Sequence, residues 1–330
     1  MARVAAVTSL YFTIDTEYSP AHFIRHGKAA RAANFACSIA GNTRHGDAGI
    51  FHAMDVFDRH GLKAVFFVDP MPALVWGVAA IADVVGPIVE RGHDVQLHLH
   101  TEWLALAGAA NPLPGRSGRD LKDFNPDEQC TLLDYARATL IAAGAPSPVA
   151  FRAGNYGAND DTLRALATLG MRYDSSHCPG IADSACAISL GADDFAPREH
   201  CGVIEVPAGC IEGPGGRLRH FQLTALTAAE VIAALRHAAQ QGQASMTLVS
   251  HSFELLSRDR LKINRIVQRR FERICAALQA MPDITSATYA GQPPLPAACT
   301  QDWSPLPHKR ARTWRRYTEQ AVGSLLYGAR

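Results

Sequence analysis

The sequence predicts an α/β protein, a distorted (β/α) barrel of about seven parallel strands. Three observations carry this. Short apolar runs with strand character alternate with helical patterns from Leu10 to Tyr289. The apolar runs end repeatedly on ionisable side chains: Asp15 and Glu17, His98, His100 and Glu102, Arg152, His177, His251. In parallel α/β barrels, residues at the C-terminal ends of strands build the active site, and packing alone does not ask for charge there.

The elements follow in order. Leu10–Asp15 reads as a buried strand. Residues 16–49 are polar and loop-like, with Arg25, Lys28, Arg31 and Arg44 among three histidines. A connection this long is functional or disordered. Ile50, Phe51, Met54 and Phe57 make a helical apolar stripe over 50–60, stopped by Gly61. A strand over 62–68, a helix over 74–91 and a second long loop over 104–124 surround the stretch Gly92–Trp103. There, Asp94 to His100 alternates polar and apolar, so Asp94, Gln96, His98 and His100 share one strand face. Asn125-Pro-Asp-Glu128 starts a helix with good capping chemistry. Strands follow at 149–152, 171–174, 203–206, 246–249 and 284–289, with helices over 160–169, 227–241 and 260–280. Residues 178–202 are irregular, and 217–223 pairs nearby.

Composition narrows the function. The 330 residues are 48% hydrophobic and 19% charged with a net charge of +1, which excludes a bulk nucleic-acid binder. Eight dilute cysteines without a Cys-x-x-Cys spacing argue for reduced thiols rather than a zinc ribbon or a disulfide scaffold. No apolar run reaches membrane-span length and the start lacks a signal h-region, so the expected location is cytoplasmic.

The chemistry sits in four stretches. Asp15 and Glu17 flank Thr16, so both carboxylates face one way on an extended backbone. His98 and His100 line a polar strand face, and imidazole is a common metal ligand. Arg152 and His251 complete the set.

With these stretches in view, the chain resembles the polysaccharide deacetylase superfamily, the NodB-like group or carbohydrate esterase family 4. Thr13-Ile-Asp-Thr-Glu17 resembles its first motif and Gly92–Glu102 its second, usually His-x-x-x-His. Phe151–Gly157 resembles the Arg-containing third motif, and Leu248-Val-Ser-His251 the last. The departures are that the second acid falls at Glu17, that the second histidine's place is taken by Glu102, and that the proline of the third motif is absent. The resemblance implies metal-assisted amide hydrolysis. Glu17, His98 and one of His100 or Glu102 would hold a divalent ion, zinc, with positions left open. Asp15 would be the general base, held ionised by Arg152. The Tyr156 N–H would be the oxyanion donor, and His251 the acid for the leaving amine.

The expected function is a metal-dependent N-deacetylase acting on an N-acylated sugar in surface polysaccharide or lipopolysaccharide biosynthesis. The cationic 16–48 segment suggests a nucleotide- or lipid-linked substrate. The alternatives are a hydrolase of other C–N bonds, such as a cyclic amide or formamide, and a non-catalytic glycan-binding barrel.

Residues 1–300 are expected to form the barrel domain and 301–330 a basic amphipathic helix packed on it. Trp314, Tyr317, Ala321, Val322, Leu325 and Leu326 fall at helical spacing behind Lys309, Arg310, Arg312, Arg315 and Arg316. Such a stripe ordinarily packs on its own domain; the other arrangement is peripheral contact with an anionic membrane.

Overall fold

The computed structural model describes residues 7–296 and 303–328. Seven strands run parallel: β1 (Thr8–Thr16), β2 (Val65–Val68), β3 (Asp94–Leu99), β4 (Ala150–Ala153), β5 (Tyr173–Asp174), β6 (Val203–Glu205) and β7 (Ser245–His251). Their spatial order is β7-β1-β2-β3-β4-β5-β6. An eighth, β8 (Ile284–Ser286), pairs with the start of β1, and Arg198–His200 adds an antiparallel edge to β6.

β6 and β7 do not pair with each other in a ladder. The chain between them bridges the gap: Gly209 N donates to Thr247 O at 3.0 Å, and Phe221 and Leu223 exchange backbone bonds with Val249. A Cβ on Gly209 would lie 2.8 Å from Thr247 O, so this closure needs glycine. The sheet is thus a curled parallel barrel closed by irregular backbone, in agreement with the expected fold class.

Period-two alternation along β1 sets the barrel's inside. Phe12 points outward and meets Phe57 and Phe271 edge-on at 5.0 and 5.6 Å. Tyr11, Thr13 and Asp15 point inward. Tyr11 and Tyr173 each pack against Tyr289 with tilted rings at the bottom, among Val65, Phe67 and Ile204, plugging the barrel below the polar layer. Register then aligns the chemistry at the top, with Asp15 opposite His251 and His98 opposite Arg152.

Several boundaries differ from the sequence reading. Residues 16–49 are not a loop. They fold into helices Pro20–His26 and Arg31–Phe35, a π-turn Ala36–Ala40 and a small hairpin. The polar exterior hid this. Ser19 caps the first helix and exchanges two 2.9 Å bonds with buried Asn34, while Tyr18 and Ile39 reach the core. The helix expected over 74–91 breaks at Gly77, where φ is 78°. The 104–124 loop begins and ends in 3-10 turns. The last barrel helix begins at Arg265 rather than Arg260, because Asn264 caps it. The seven described cysteines are free thiols; Cys299 lies outside the described residues.

The C-terminal helix Arg310–Tyr327 reverses the expected orientation. It docks by its polar side: Arg316 pairs with Glu230, each side chain only 2% exposed, and Glu319 lies 3.6 Å from Arg270. Trp314, Tyr317, Val322, Leu325 and Leu326 face outward. Two charges removed from water together hold the helix, so removing one strands the other. Arg316→Ala should therefore cost about 3–5 kcal/mol of docking energy and expose the helix to limited proteolysis. An unchanged cleavage pattern and melting temperature would show that other contacts suffice.

Candidate active site

Asp15 ends the inward face of β1 and Arg152 that of β4. Arg152 Nη1 donates to Asp15 Oδ1 at 2.7 Å and to Thr13 Oγ1 at 2.9 Å. Its other nitrogens donate to Ser175 O and Oγ, and its guanidinium lies 4.4 Å from the Phe67 ring centroid. Each of its three nitrogens is engaged, so the charge is fixed in place. Burial alone would raise the Asp15 carboxyl, but Arg152, His98 and His251 outweigh it and hold Asp15 below the ordinary range. Asp15 is a buried anion near the C-terminal end of β1.

Glu17, His98 and His100 form a cluster whose ligand atoms lie within 4.8 Å of one another. His98 Nδ1–H donates to Arg152 O at 2.7 Å, and His100 Nδ1–H donates to Glu102 Oε2 at 3.1 Å. Each bond fixes its ring's tautomer and turns Nε2 inward, the arrangement that orients metal-bound histidines. Both Nε2 atoms approach Glu17 Oε2, at 3.6 Å from His98 and 2.5 Å from His100. Glu17 Oε2 is nonetheless buried without a well-formed hydrogen bond. A buried carboxylate oxygen with no such bond, facing two oriented imidazoles, fits a divalent cation. Glu102 stands outside the three, behind His100, and also accepts from Asn155 Nδ2 at 3.2 Å.

His251 ends β7 beside Asp15, its Nε2 3.9 Å from Asp15 Oδ2. Its Nδ1–H donates to Glu254 Oε1 at 2.8 Å. Burial disfavours the imidazolium, but the Glu254 bond and the charges of Glu254, Asp15 and Glu17 prevail and push His251 up to about 9.

Tyr156 follows β4 in a turn where Asn155 and Tyr156 both take left-handed backbone, φ 55° and 59°. Two adjacent non-glycine residues in this region are strained, a feature that concentrates at functional sites. The turn needs Gly154, whose added Cβ would lie 2.7 Å from both His100 Nδ1 and Leu99 O. The Tyr156 hydroxyl bonds His220 Nε2 at 3.1 Å. His220 Nδ1–H donates to Gln222 Oε1, and Gln222 Nε2 donates to Glu254. Tyr156 and His251 are thus joined by one hydrogen-bonded chain.

The sequence reading missed that chain. His220 and Gln222 share one face at period two, and Glu254 falls three residues after His251; these spacings were the available signals. It also missed Asp69, which follows β2 as the other ionisable groups follow their strands. Asp69 Oδ1 accepts from Met71 N at 3.0 Å, and burial pushes the carboxyl up to about 6. His177, by contrast, turns away from the cluster to the Gly191 carbonyl. A second group, Asp160, His200 and Cys201, lies on the rim of the sheet. There His200 and Ser189 already satisfy both oxygens of Asp160.

No family model and no curated protein matches the chain. Solved structures do. A Mycobacterium smegmatis protein assigned as a polysaccharide deacetylase matches over 88% of this chain and 90% of its own, at 18% identity and a TM-score of 0.55. This is the polysaccharide deacetylase fold. A 4-alpha-glucanotransferase from Thermococcus litoralis is also similar, at 11% identity and a TM-score of 0.50, over 86% of this chain and 40% of that one. A family 4 carbohydrate esterase from Streptomyces lividans matches over 91% of this chain and 98% of its own, at 11% identity and a TM-score of 0.41. The polysaccharide deacetylase fold is thus shared with a glucanotransferase, so the reaction has to be argued from side chains rather than architecture.

Proposed function

We propose that this chain is a metal-dependent N-deacetylase, a hydrolase of the C–N amide bond of an N-acylated sugar. The observation that carries the reading is the juxtaposition of the Glu17–His98–His100 cluster with ionised Asp15 and the His251–Glu254 pair. Glu17, His98 and His100 would hold the cation, with Glu102 orienting His100 rather than ligating. Two imidazoles and one carboxylate suit zinc with open positions. When bound, such an ion supplies an acidified water and a Lewis acid for the acyl oxygen.

The remaining groups divide the proton work. Asp15 takes the proton of the attacking water, kept ionised for it by Arg152. His251 protonates the leaving amine, and Glu254 keeps it charged until then. The Tyr156 N–H, set by the strained turn, offers a donor to the developing oxyanion. An acid and a base with oppositely shifted pKa values across one site is the pattern of paired proton transfer.

The substrate belongs among N-acetylated sugars of surface polysaccharide assembly. Arg25 and Arg44, exposed on the 16–49 segment, favour an anionic carrier, a nucleotide or lipid diphosphate, whereas Arg31 is already paired with Asp83. The test is metal analysis with acetate release from UDP-linked, lipid-linked and free N-acetyl sugars. About one equivalent of zinc and release from a linked sugar are expected. His100→Ala, which removes one of the three proposed ligands, should lose both. Stoichiometric metal without acetate release would favour a glycan-binding barrel. Release without any metal would favour hydrolysis of another kind.

A further inference from the structure

We infer that the C-terminal helix seats this protein on an anionic membrane surface. The inference stands whether or not the deacetylase reading holds. The helix is amphipathic in the reverse of the ordinary sense. Thr313, Arg316 and Glu319 turn inward, while Trp314 is 70% and Leu325 85% exposed, with Tyr317, Val322 and Leu326 beside them. A soluble domain gains by burying such residues, and here the polar side was buried instead. The outward face carries the aromatic and aliphatic residues that settle into the headgroup boundary.

The charge beside that face selects the occupant. Arg269 and Arg273 are exposed on the neighbouring helix Arg265–Gln279 and, with Arg270 and Arg315, line a groove against the C-terminal helix. Glu319 is the acid in that lining, and it is engaged by Arg270. Three outward arginines beside an apolar stripe complement anionic headgroups over an apolar layer, and not a neutral protein surface. Among the described residues no helix is long and apolar enough to cross a membrane, so the contact is interfacial.

The far end of the helix leads to the catalytic rim. Arg258 N donates to Tyr327 O at 3.2 Å. In the same segment Leu261 is 68% exposed, and Arg260 covers the Phe253 ring, which lies 5.4 Å from the His251 ring. A protein held by this helix keeps His251 within a few side chains of its docking face.

Co-sedimentation of the full chain with phosphatidylcholine vesicles, with and without phosphatidylglycerol, tests this. Binding to the anionic vesicles alone is expected, weakening as salt rises. Trp314→Ser with Leu325→Ser should weaken it by roughly tenfold or more. Arg269→Gln with Arg273→Gln and Arg315→Gln should abolish the preference for anionic lipid. All five positions are exposed, so melting temperatures should hold, and acetate release from a soluble substrate should too. No binding to anionic vesicles, or equal binding to both kinds, overturns the inference. So does a solution dimer that the Trp314 and Leu325 substitutions dissociate, because the face would then belong to a second copy.

Discussion

Asp15→Asn should lower kcat by about 10²–10⁴-fold while the metal content is unchanged, because the substitution removes the proposed base and spares the proposed ligands Glu17, His98 and His100. The geometry makes the two readouts separable. Asp15 Oδ1 is held by Arg152 Nη1 at 2.7 Å, and Oδ2 faces His251 at 3.9 Å, so neither oxygen belongs to the cluster. Some stability should be lost as well, because Arg152 is fully buried and keeps its charge without a counterion. The sign of the pH effect follows from the lowered Asp15 pKa. The ion pair stabilises the fold fully above the ordinary carboxylate value of 3.8 and ceases to do so as pH falls through the folded value below it. Wild type should therefore unfold in acid with a step that Asp15→Asn lacks. Loss of zinc together with activity would mean that Asp15 is a ligand, and the proposed division of labour would fail.

Glu254→Gln should move the alkaline limb of the pH–rate profile towards neutrality. His251 is the proposed acid and must enter the reaction protonated. With its pKa raised to about 9, activity should persist through pH 8 and fall as pH passes 9. Glu254 supplies the largest of the raising effects, a hydrogen bond at 2.8 Å backed by its charge. Without it, burial dominates and the limb should retreat towards the ordinary imidazole value of 6.5, with kcat at pH 6 much less affected than kcat at pH 8.5. A merely structural glutamate would lower both equally and leave the limb where it was. His251→Ala should remove the limb altogether.

Glu254 also shows where sequence reasoning stopped. His251 was legible because it closes an apolar strand. Its partner was not, because Glu254 lies in the turn after β7, and nothing in a one-dimensional pattern says that the turn folds back on the ring. His220 and Gln222 were still less legible, since their role depends on the chain between β6 and β7 crossing the barrel opening. The choice between His100 and Glu102 was of the same kind. Both lie at the end of β3, and only the approach of Glu17 from β1 brings His100 into the cluster. The misreading of 16–49 had a different cause. Its helices are short and carry their charge outward, so periodicity had too few turns in which to show itself.

The sequence by itself determined the alternating α/β order, the parallel barrel, and the placing of Asp15, Glu17, His98, Arg152 and His251 at strand ends, because strand periodicity is local and fixes which side chains share a face. Tertiary structure decided what local order cannot carry. It brought β1, β3, β4 and β7 into register so that distant acids and imidazoles face one another. It also turned the C-terminal helix, because the pairing of Arg316 with Glu230 depends on a helix some eighty residues away, which no hydrophobic pattern within the tail could specify.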